Sequence, residues 1–242
     1  MKKFLKLAAA ILCTFSLSSC EEAEKILLST GLTNEEVIQG LKTALEIGSD
    51  TSVYKLSQVD GYYKDELVKI LLPEEAQPVY GVINSIPGGN LLLENAIQSI
   101  NRAAEDAAPE ADSIFVSAIT GITIADGFTI LNGGDSAATV YLNSKTYTPL
   151  LDAFSPKIKT SLSNPLFLNS SAEESYTKLL NAYNTASLGG LLFPEIKTNS
   201  LSEHVTRKAL DGLFVKLAQE EKKIRTDPLH RVNDILKKVF GG

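Results

Sequence analysis

The middle of the chain, from Asn101 to Thr146, is rich in small and apolar residues and has almost no long charged side chains after Asp112. Turn signals such as Gly133-Gly134 divide this stretch into several short helical segments. Alanine and glycine on their faces allow the backbones of neighbouring helices to approach closely. The stretch therefore predicts a tightly packed helical centre around which the rest of the chain is organised.

Helical periodicity continues on both sides of this centre. Thr33 and Glu36 have the spacing of a capping box and predict a helix that ends at Gly48. Asp135 is predicted to cap a later helix, and Pro156 is predicted to break it. Thr123 and Asp126 are also expected to cap a helix.

The last part of the chain contains a predicted helix from Ala172 to Asn184, an apolar, glycine-containing connection from Leu188 to Pro194, and two further predicted helices, from Ser200 to Arg225 and from Pro228 onward. The apolar residues of the last helix are expected to be buried: Leu229, Val232, Ile235, Leu236, Val239 and Phe240. Only Leu67 to Leu72 has strand character, and it is too short and isolated to imply a sheet. We predict an all-α fold, a single compact multi-helix domain of about ten helices over residues 34–242.

The N-terminus has the layout of a bacterial signal sequence. Three lysines precede a short apolar run from Leu7 to Leu17, which is too short to span a bilayer as a helix. The following Leu17-Ser18-Ser19-Cys20 resembles a lipobox, in which the cysteine is acylated and the chain is cut just before it. Residues 1–19 are therefore predicted to be a cleaved signal peptide and residues 20–33 a lipidated tether. An ordinary signal peptide with a chance cysteine is the alternative.

A lipid on Cys20 predicts a protein held at a membrane of the cell envelope, facing the periplasm or the cell surface. Since Cys13 would leave with the signal peptide, the mature chain would have neither a free thiol nor a disulfide. Its core must then stabilise the domain alone, which a chain of about 220 residues can do because it buries most of its unfolded surface.

The charge of the chain argues against nucleic acid as a partner. Without the three lysines of the signal peptide, 20 of the 23 Lys and Arg remain against 29 Asp and Glu, a net charge of about −9. An acidic surface repels phosphate backbones. From Arg207 onward, however, nine basic residues stand against five acidic ones. This asymmetry predicts that the C-terminal helices pack against a more acidic body.

The sequence contains none of the common catalytic or metal-binding patterns. Only His204 and His230 could act as a histidine base or ligand. The chain has no Gly-x-Ser-x-Gly turn and no Gly-x-x-x-x-Gly-Lys phosphate loop. We therefore predict no catalytic residue, no metal and no cofactor.

Several charged or amide side chains fall inside apolar helical segments, where they need partners because an unpaired buried charge is costly. These residues are Asn101, Arg102, Glu105, Asp211, Glu221, Arg225 and Arg231. One interpretation is a salt-bridge network that holds the C-terminal helices to the centre. The other is a polar pocket for an anionic or polar ligand, with Arg102, Arg225 and Arg231 as donors.

Long segments resemble a known family. They are NRAAEDAAPEADSIFVSAI (101–119), TIADGFTIL (123–131), AATVYL (137–142), VTRKALDGLF (205–214) and EEKKIRTDPLHR (220–231). They are similar to the bacterial domain-of-unknown-function family numbered 4197, and the resemblance runs from about Gly40 to the end. It implies a predominantly helical, secreted or lipid-anchored envelope protein, and it brings no activity and no site residues. Gly121, Gly127 and His204 depart from the family pattern.

Three hypotheses of function follow. The first is a non-enzymatic envelope lipoprotein that binds or scaffolds an unknown envelope protein. The second is a carrier of a small apolar or anionic ligand in an interhelical pocket, which requires a deep enclosed cavity. The third is a carboxylate-dependent enzyme with Glu105 or Glu221 as the acid or base, which requires an accessible cleft.

Overall fold

The computed structural model describes residues 31–167, 170–197 and 201–241, and the predicted signal peptide, Cys20 and most of the tether lie outside them. The described residues form nine α-helices and one small antiparallel strand pair. The helices are α1 (Asn34–Ser57), α2 (Val79–Val82), α3 (Gly89–Ala107), α4 (Asp112–Thr120), α5 (Ile124–Leu131), α6 (Ala137–Ser163), α7 (Ala172–Ala186), α8 (Leu201–Thr226) and α9 (Asp234–Phe240). The strands are β1 (Pro165–Phe167) and β2 (Ser170–Ser171). The predicted all-α fold class is confirmed.

Two of the predicted helix starts have the expected geometry. At α1 the Thr33 backbone N–H donates to Glu36 Oε2 at 2.9 Å, and the Glu36 N–H donates to Thr33 Oγ1 at 3.2 Å. At α5 the Thr123 and Asp126 pair makes the same reciprocal bonds at 3.1 and 3.2 Å. Each capping box satisfies two N–H groups that the helix itself leaves without acceptors.

The predicted end of the first helix at Gly48 is wrong, because α1 continues to Ser57. Gly48 is a contact point between helices: a Cβ at this position would lie 3.7 Å from Leu217 Cδ1 and 3.8 Å from Glu220 Cβ on α8. Gly48 therefore allows close packing of α1 against α8 and does not terminate α1.

The predicted break at Pro156 is also wrong. Helix α6 runs through both Pro149 and Pro156 without interruption. Both prolines lie on its exposed side, whereas Leu150, Phe154 and Ile158 on the opposite face are fully buried. A proline inside a helix costs about 3 kcal/mol, and burial of three large apolar side chains offsets this cost.

The last predicted helix begins later than expected. Pro228 starts a short 3-10 turn that ends at His230, and α9 begins only at Asp234, with Asn233 accepting the Leu236 N–H at 3.0 Å. As a result Leu229 and Val232 are 88% and 67% exposed, contrary to the predicted burial.

Helices α1 and α8 run antiparallel through the core. Ala44 clusters with Ile224, Gly48 faces Leu217, and the hydroxyl of Tyr62, just after α1, donates to Ala209 O at 2.8 Å. The first half of α1 thus lies beside the end of α8, and the residues after α1 lie beside the first half of α8, so the molecule has two ends. We name residues 31–40, 128–131 and 224–241 the N-terminal pole, and residues 60–78, 186–197 and 201–205 the distal pole.

Among the described residues no single helix is long and apolar enough to cross a membrane. One pair of segments, Gly89–Thr120 and Ile124–Leu131, reaches the necessary length and composition only together, and it is bent by 107°.

Candidate functional site

The buried polar residues predicted from the sequence are distributed over separate contacts. Asn101 is fully buried on α3, where its side chain accepts the Ile70 N–H at 2.8 Å and donates to Ile70 O at 2.8 Å. The amide thus pairs with both backbone groups of Ile70, which lies in the segment 69–73 without regular secondary structure, and the predicted strand character of Leu67 to Leu72 is not realised. This contact holds the segment to α3 and leaves the buried backbone groups of Ile70 satisfied.

Arg102 and Glu105 form one cluster with Asp60, which the sequence interpretation did not include. The Arg102 guanidinium donates to Asp60 Oδ1 at 2.6 Å and to Glu105 Oε2 at 2.5 Å. The other Glu105 oxygen accepts the backbone N–H groups of Tyr62 and Tyr63 at 3.2 and 3.3 Å. The cluster therefore fixes the turn after α1, in which Asp60 has a left-handed backbone with φ 71°.

The electrostatics of this cluster fit a structural contact. Burial raises the pKa of Glu105 although the hydrogen bond from Arg102 opposes the shift. Hydrogen bonds from Lys64 and Arg102 lower the pKa of Asp60. Three hydrogen bonds from Tyr62, Tyr63 and Arg102 orient both oxygens of this buried carboxylate towards neighbouring groups of the fold.

Glu221 and Arg225 form a second cluster on α8. Glu221 accepts the backbone N–H groups of Ala138 and Thr139, at 2.9 and 2.8 Å, at the start of α6. Arg225 donates to Glu221 at 2.9 Å and to Ile130 O, at the end of α5, at 2.9 Å. The ion pair therefore joins α8 to the beginning of one helix and the end of another.

The other two predicted residues lie apart from these clusters. Arg231 donates to the backbone oxygens of Ile224 and Arg225, at 3.2 and 2.8 Å, and so caps the C-terminal end of α8. Asp211 is exposed and only reaches Lys208, at 3.4 Å. The predicted residues thus do not converge on one pocket.

One further buried carboxylate was not singled out from the sequence. Glu220 accepts hydrogen bonds from Lys55 at 2.7 Å and from Lys223 at 2.8 Å. Burial of Glu220 works against ionisation, but the two lysines outweigh it and lower its pKa. Lys55 belongs to α1, so this contact also joins the two antiparallel helices.

The cavity next to the Glu221 and Arg225 cluster is small. It lies between α1, α8 and α9, with Gly48, Leu217 and Phe240 in its wall, and has a free volume of about 20 Å³. This is room for about one water molecule. The larger spaces of 410 to 560 Å³ are open clefts at the surface.

The two histidines have separate surroundings. His204 Nε2 lies 2.9 Å from Leu71 O, and His230 Nδ1 lies 2.9 Å from Asp227 Oδ2. Over the described ranges, no three His, Cys, Asp or Glu side chains are placed to hold a metal ion.

The loop 188–193 between α7 and α8 exposes several apolar side chains. Leu188, Leu191 and Leu192 are 62%, 79% and 64% exposed. Leu188 has a left-handed backbone with φ 54°, and Gly189 and Gly190 follow with φ 67° and 84°. A left-handed leucine is uncommon, because its Cβ crowds the backbone.

Hydrogen bonds and packing hold this loop in its conformation. Ser187 accepts the Gly190 N–H on its hydroxyl at 3.1 Å and the Leu192 N–H on its carbonyl at 3.0 Å. The Asn184 side chain pairs with both backbone groups of Ile196, at 2.9 and 3.0 Å. The Phe193 ring packs on Tyr183 with centroids 4.8 Å apart. The three leucines therefore project from a loop that is tied to α7 on both sides.

The sequence predicts this loop only as an apolar, glycine-containing connection. The exposure of these leucines could have been predicted from the order of residues. A glycine pair between leucines indicates a turn, and apolar side chains on a turn have few neighbours to cover them. Periodicity does not reveal exposure in a segment that has no regular structure.

Residues 31–241 match a family described as "Protein of unknown function (DUF4197)". Neither the curated proteins nor the solved structures contain a match to this chain.

Proposed function

The chain belongs to the DUF4197 family of proteins of unknown function, and we propose that it is a membrane-anchored lipoprotein of the cell envelope that binds a partner protein. The observation that carries this proposal is the loop 188–193, which exposes three leucines on a backbone held by hydrogen bonds. Apolar side chains fixed in water are typical of interaction sites, because a partner that covers them gains free energy at little cost in ordering.

The position of the loop supports binding away from the membrane. Residues 20–30 precede the N-terminal pole, whereas the loop belongs to the distal pole. Helix α1, which leads from one pole towards the other, has 24 residues and is about 36 Å long. A chain anchored through Cys20 would thus present Leu191 and Leu192 towards the compartment that the protein faces.

The other two hypotheses have weaker support. A carrier requires a cavity that encloses its ligand, and the space between α1, α8 and α9 holds about 20 Å³. An enzyme that used Glu105 or Glu221 would first have to free a carboxylate that already accepts several hydrogen bonds.

Site-specific photo-crosslinking in the native host tests partner binding. A photoreactive residue replaces Leu192, and the control carries it at Val140 on α6, which is similarly exposed at 65%. We expect a discrete adduct with one envelope protein from position 192 only. That protein, once purified, should bind the chain at least tenfold more weakly after Leu191→Ser. Identical adducts from both positions, or unchanged affinity of the variant, would contradict the proposal.

The anchor is tested separately by Cys20→Ala. Without a thiol no lipid can be attached, and we expect the protein to move from the membrane fraction to the soluble fraction. Retention of the variant in the membrane fraction would show that Cys20 is not the anchor.

A further inference from the structure

A second exposed apolar pair lies at the N-terminal pole. Leu229 and Val232 are the two apolar side chains of the turn between α8 and α9, and both point to solvent. They are some of the most exposed apolar side chains described in this protein. Within the described ranges no side chain covers this pair, and the apolar face of α9 begins only at Ile235 and Leu236.

The turn is held in place by its own polar contacts. Asp227 accepts the Leu229 N–H at 3.0 Å on its side chain and the His230 N–H at 3.0 Å on its carbonyl. Arg231 reaches back to the last carbonyls of α8. The backbone is therefore fixed while Leu229 and Val232 project from it.

The surroundings of this apolar pair are basic. Residues 222–241 contain six Lys or Arg against two Asp, although the whole chain is acidic. Arg225 and Arg231 point inward to backbone carbonyls. Lys222, Lys237 and Lys238 are exposed, and the first two have only long contacts with acidic side chains, at 3.8 and 3.4 Å. These lysines remain available to an anionic surface.

The chain also enters the fold at this pole. Leu32 packs with Val37 and Phe128, next to Val239 of α9. Residues 20–30 span at most about 36 Å when fully extended. A lipid on Cys20 would hold the N-terminal pole within that distance of the bilayer, which is where the apolar turn and the exposed lysines lie.

We propose that the turn 228–232, together with Lys222, Lys237 and Lys238, is a second membrane contact that binds the surface of an anionic lipid bilayer. Leu229 and Val232 enter the headgroup region, and the lysines lie against lipid phosphates. A second copy of the chain fits this surface poorly, because a twofold contact would bring the same lysines together. The proposed lipid on Cys20 would turn the N-terminal pole towards the bilayer, but the contact between this surface and the bilayer does not need the lipid.

Co-sedimentation with vesicles tests the contact without the anchor or any partner. The protein used in this assay begins at Glu21 and carries no lipid. Because the described residues begin at position 31, it retains every contact described above. The vesicles contain phosphatidylcholine alone or with about 30% phosphatidylglycerol. We expect binding to the anionic vesicles only, and its loss as salt rises to about 0.5 M, because salt screens the lysines.

Two variants identify the surface. Leu229→Ser with Val232→Ser should weaken binding about tenfold, and Lys237→Gln with Lys238→Gln should weaken it to a similar extent and reduce its salt dependence. Leu191→Ser with Leu192→Ser, which removes a similarly exposed apolar pair at the distal pole, should bind as the parent does. All these side chains are exposed, so the fold should persist, as circular dichroism can verify.

The outcomes of these experiments separate the membrane contact from the proposed partner binding. Failure of the parent to bind anionic vesicles, or equal loss of binding in the distal-pole variant, would overturn the membrane contact and leave the partner proposal untouched. If the parent does not bind vesicles while a photoreactive residue at Val232 captures a protein in the host, the surface belongs to a protein and the lipid assignment is wrong.

Discussion

Glu221 on α8 accepts two hydrogen bonds from Thr139 near the start of α6, one from its backbone N–H at 2.8 Å and one from its hydroxyl at 2.7 Å. The cap of α6 thus comes from a residue 82 positions away in the chain. The predicted cap, Asp135, is wrong: it lies in solvent, 3.8 Å from Lys222. The negative charge that stabilises the partially positive N-terminus of α6 therefore comes from a carboxylate on another helix.

The first prediction concerns this cap. Glu221→Ala leaves the N–H groups of Ala138 and Thr139 without acceptors and Arg225 without its carboxylate, so we expect a loss of about 3 kcal/mol of unfolding free energy. Amide hydrogen exchange at Ala138 and Thr139 should accelerate more than elsewhere. Asp135→Asn is the control and should change stability by less than about 0.5 kcal/mol. Equal stability of both variants would show that Glu221 does not cap α6.

The cluster around Glu105 leads to a second prediction. Glu105→Ala removes the acceptor for two backbone N–H groups and one partner of Arg102, so we expect a loss of about 3 kcal/mol, or a Tm lower by about 6 to 12 °C. Asp211→Ala, which removes an exposed carboxylate 3.4 Å from Lys208, should leave the Tm almost unchanged. Thermal unfolding followed by circular dichroism measures both. A neutral Glu105→Ala would mean that the turn after α1 is held by other contacts.

The sequence predicts local features of this fold well. The capping boxes at Thr33 and Thr123 depend on residues three positions apart, and both are observed. The predictions that failed at Gly48, Asp135 and Pro156 share a cause: in each case a distant part of the chain decides the local structure. Helix α8 packs on Gly48, and burial of one face of α6 keeps that helix continuous through its prolines.

The candidate sites show the same limit. The sequence identifies Arg102 and Glu105 as residues that need partners, but Asp60 becomes their partner only because the turn after α1 returns to α3. Exposure was the hardest property to predict. Leu229 and Leu191 have the residue type of a core position, and only the three-dimensional arrangement shows that they are 88% and 79% exposed.

The third prediction uses the pKa of Glu220, which Lys223 and Lys55 lower below its ordinary value of 4.5 despite burial. A carboxylate with a lowered folded pKa stabilises the protein above the unfolded pKa, and this stabilisation is lost as the pH falls through the folded value. Glu220→Gln should therefore be less stable than the parent at about pH 7, and the difference should shrink towards about pH 3. Urea unfolding across this range measures it, and a difference independent of pH would contradict the ion pair.

The last prediction concerns the contact between α8 and the turn after α1. A Cβ on Gly212 would lie 2.8 Å from Tyr62 Cε1 and 3.2 Å from Val68 Cβ. The Tyr62 ring cannot easily move aside, because it is fully buried and its hydroxyl is bonded to Ala209 O. The strain of an added methyl, about 1 to 3 kcal/mol, should then exceed the gain in helix propensity of about 1 kcal/mol. Gly212→Ala should thus lower the Tm, whereas Gly81→Ala in α2, with open space around the new methyl, should leave it unchanged or raise it slightly. An increase in Tm for Gly212→Ala would show that Tyr62 can shift at little cost, and the glycine would then not be required for the packing of α8.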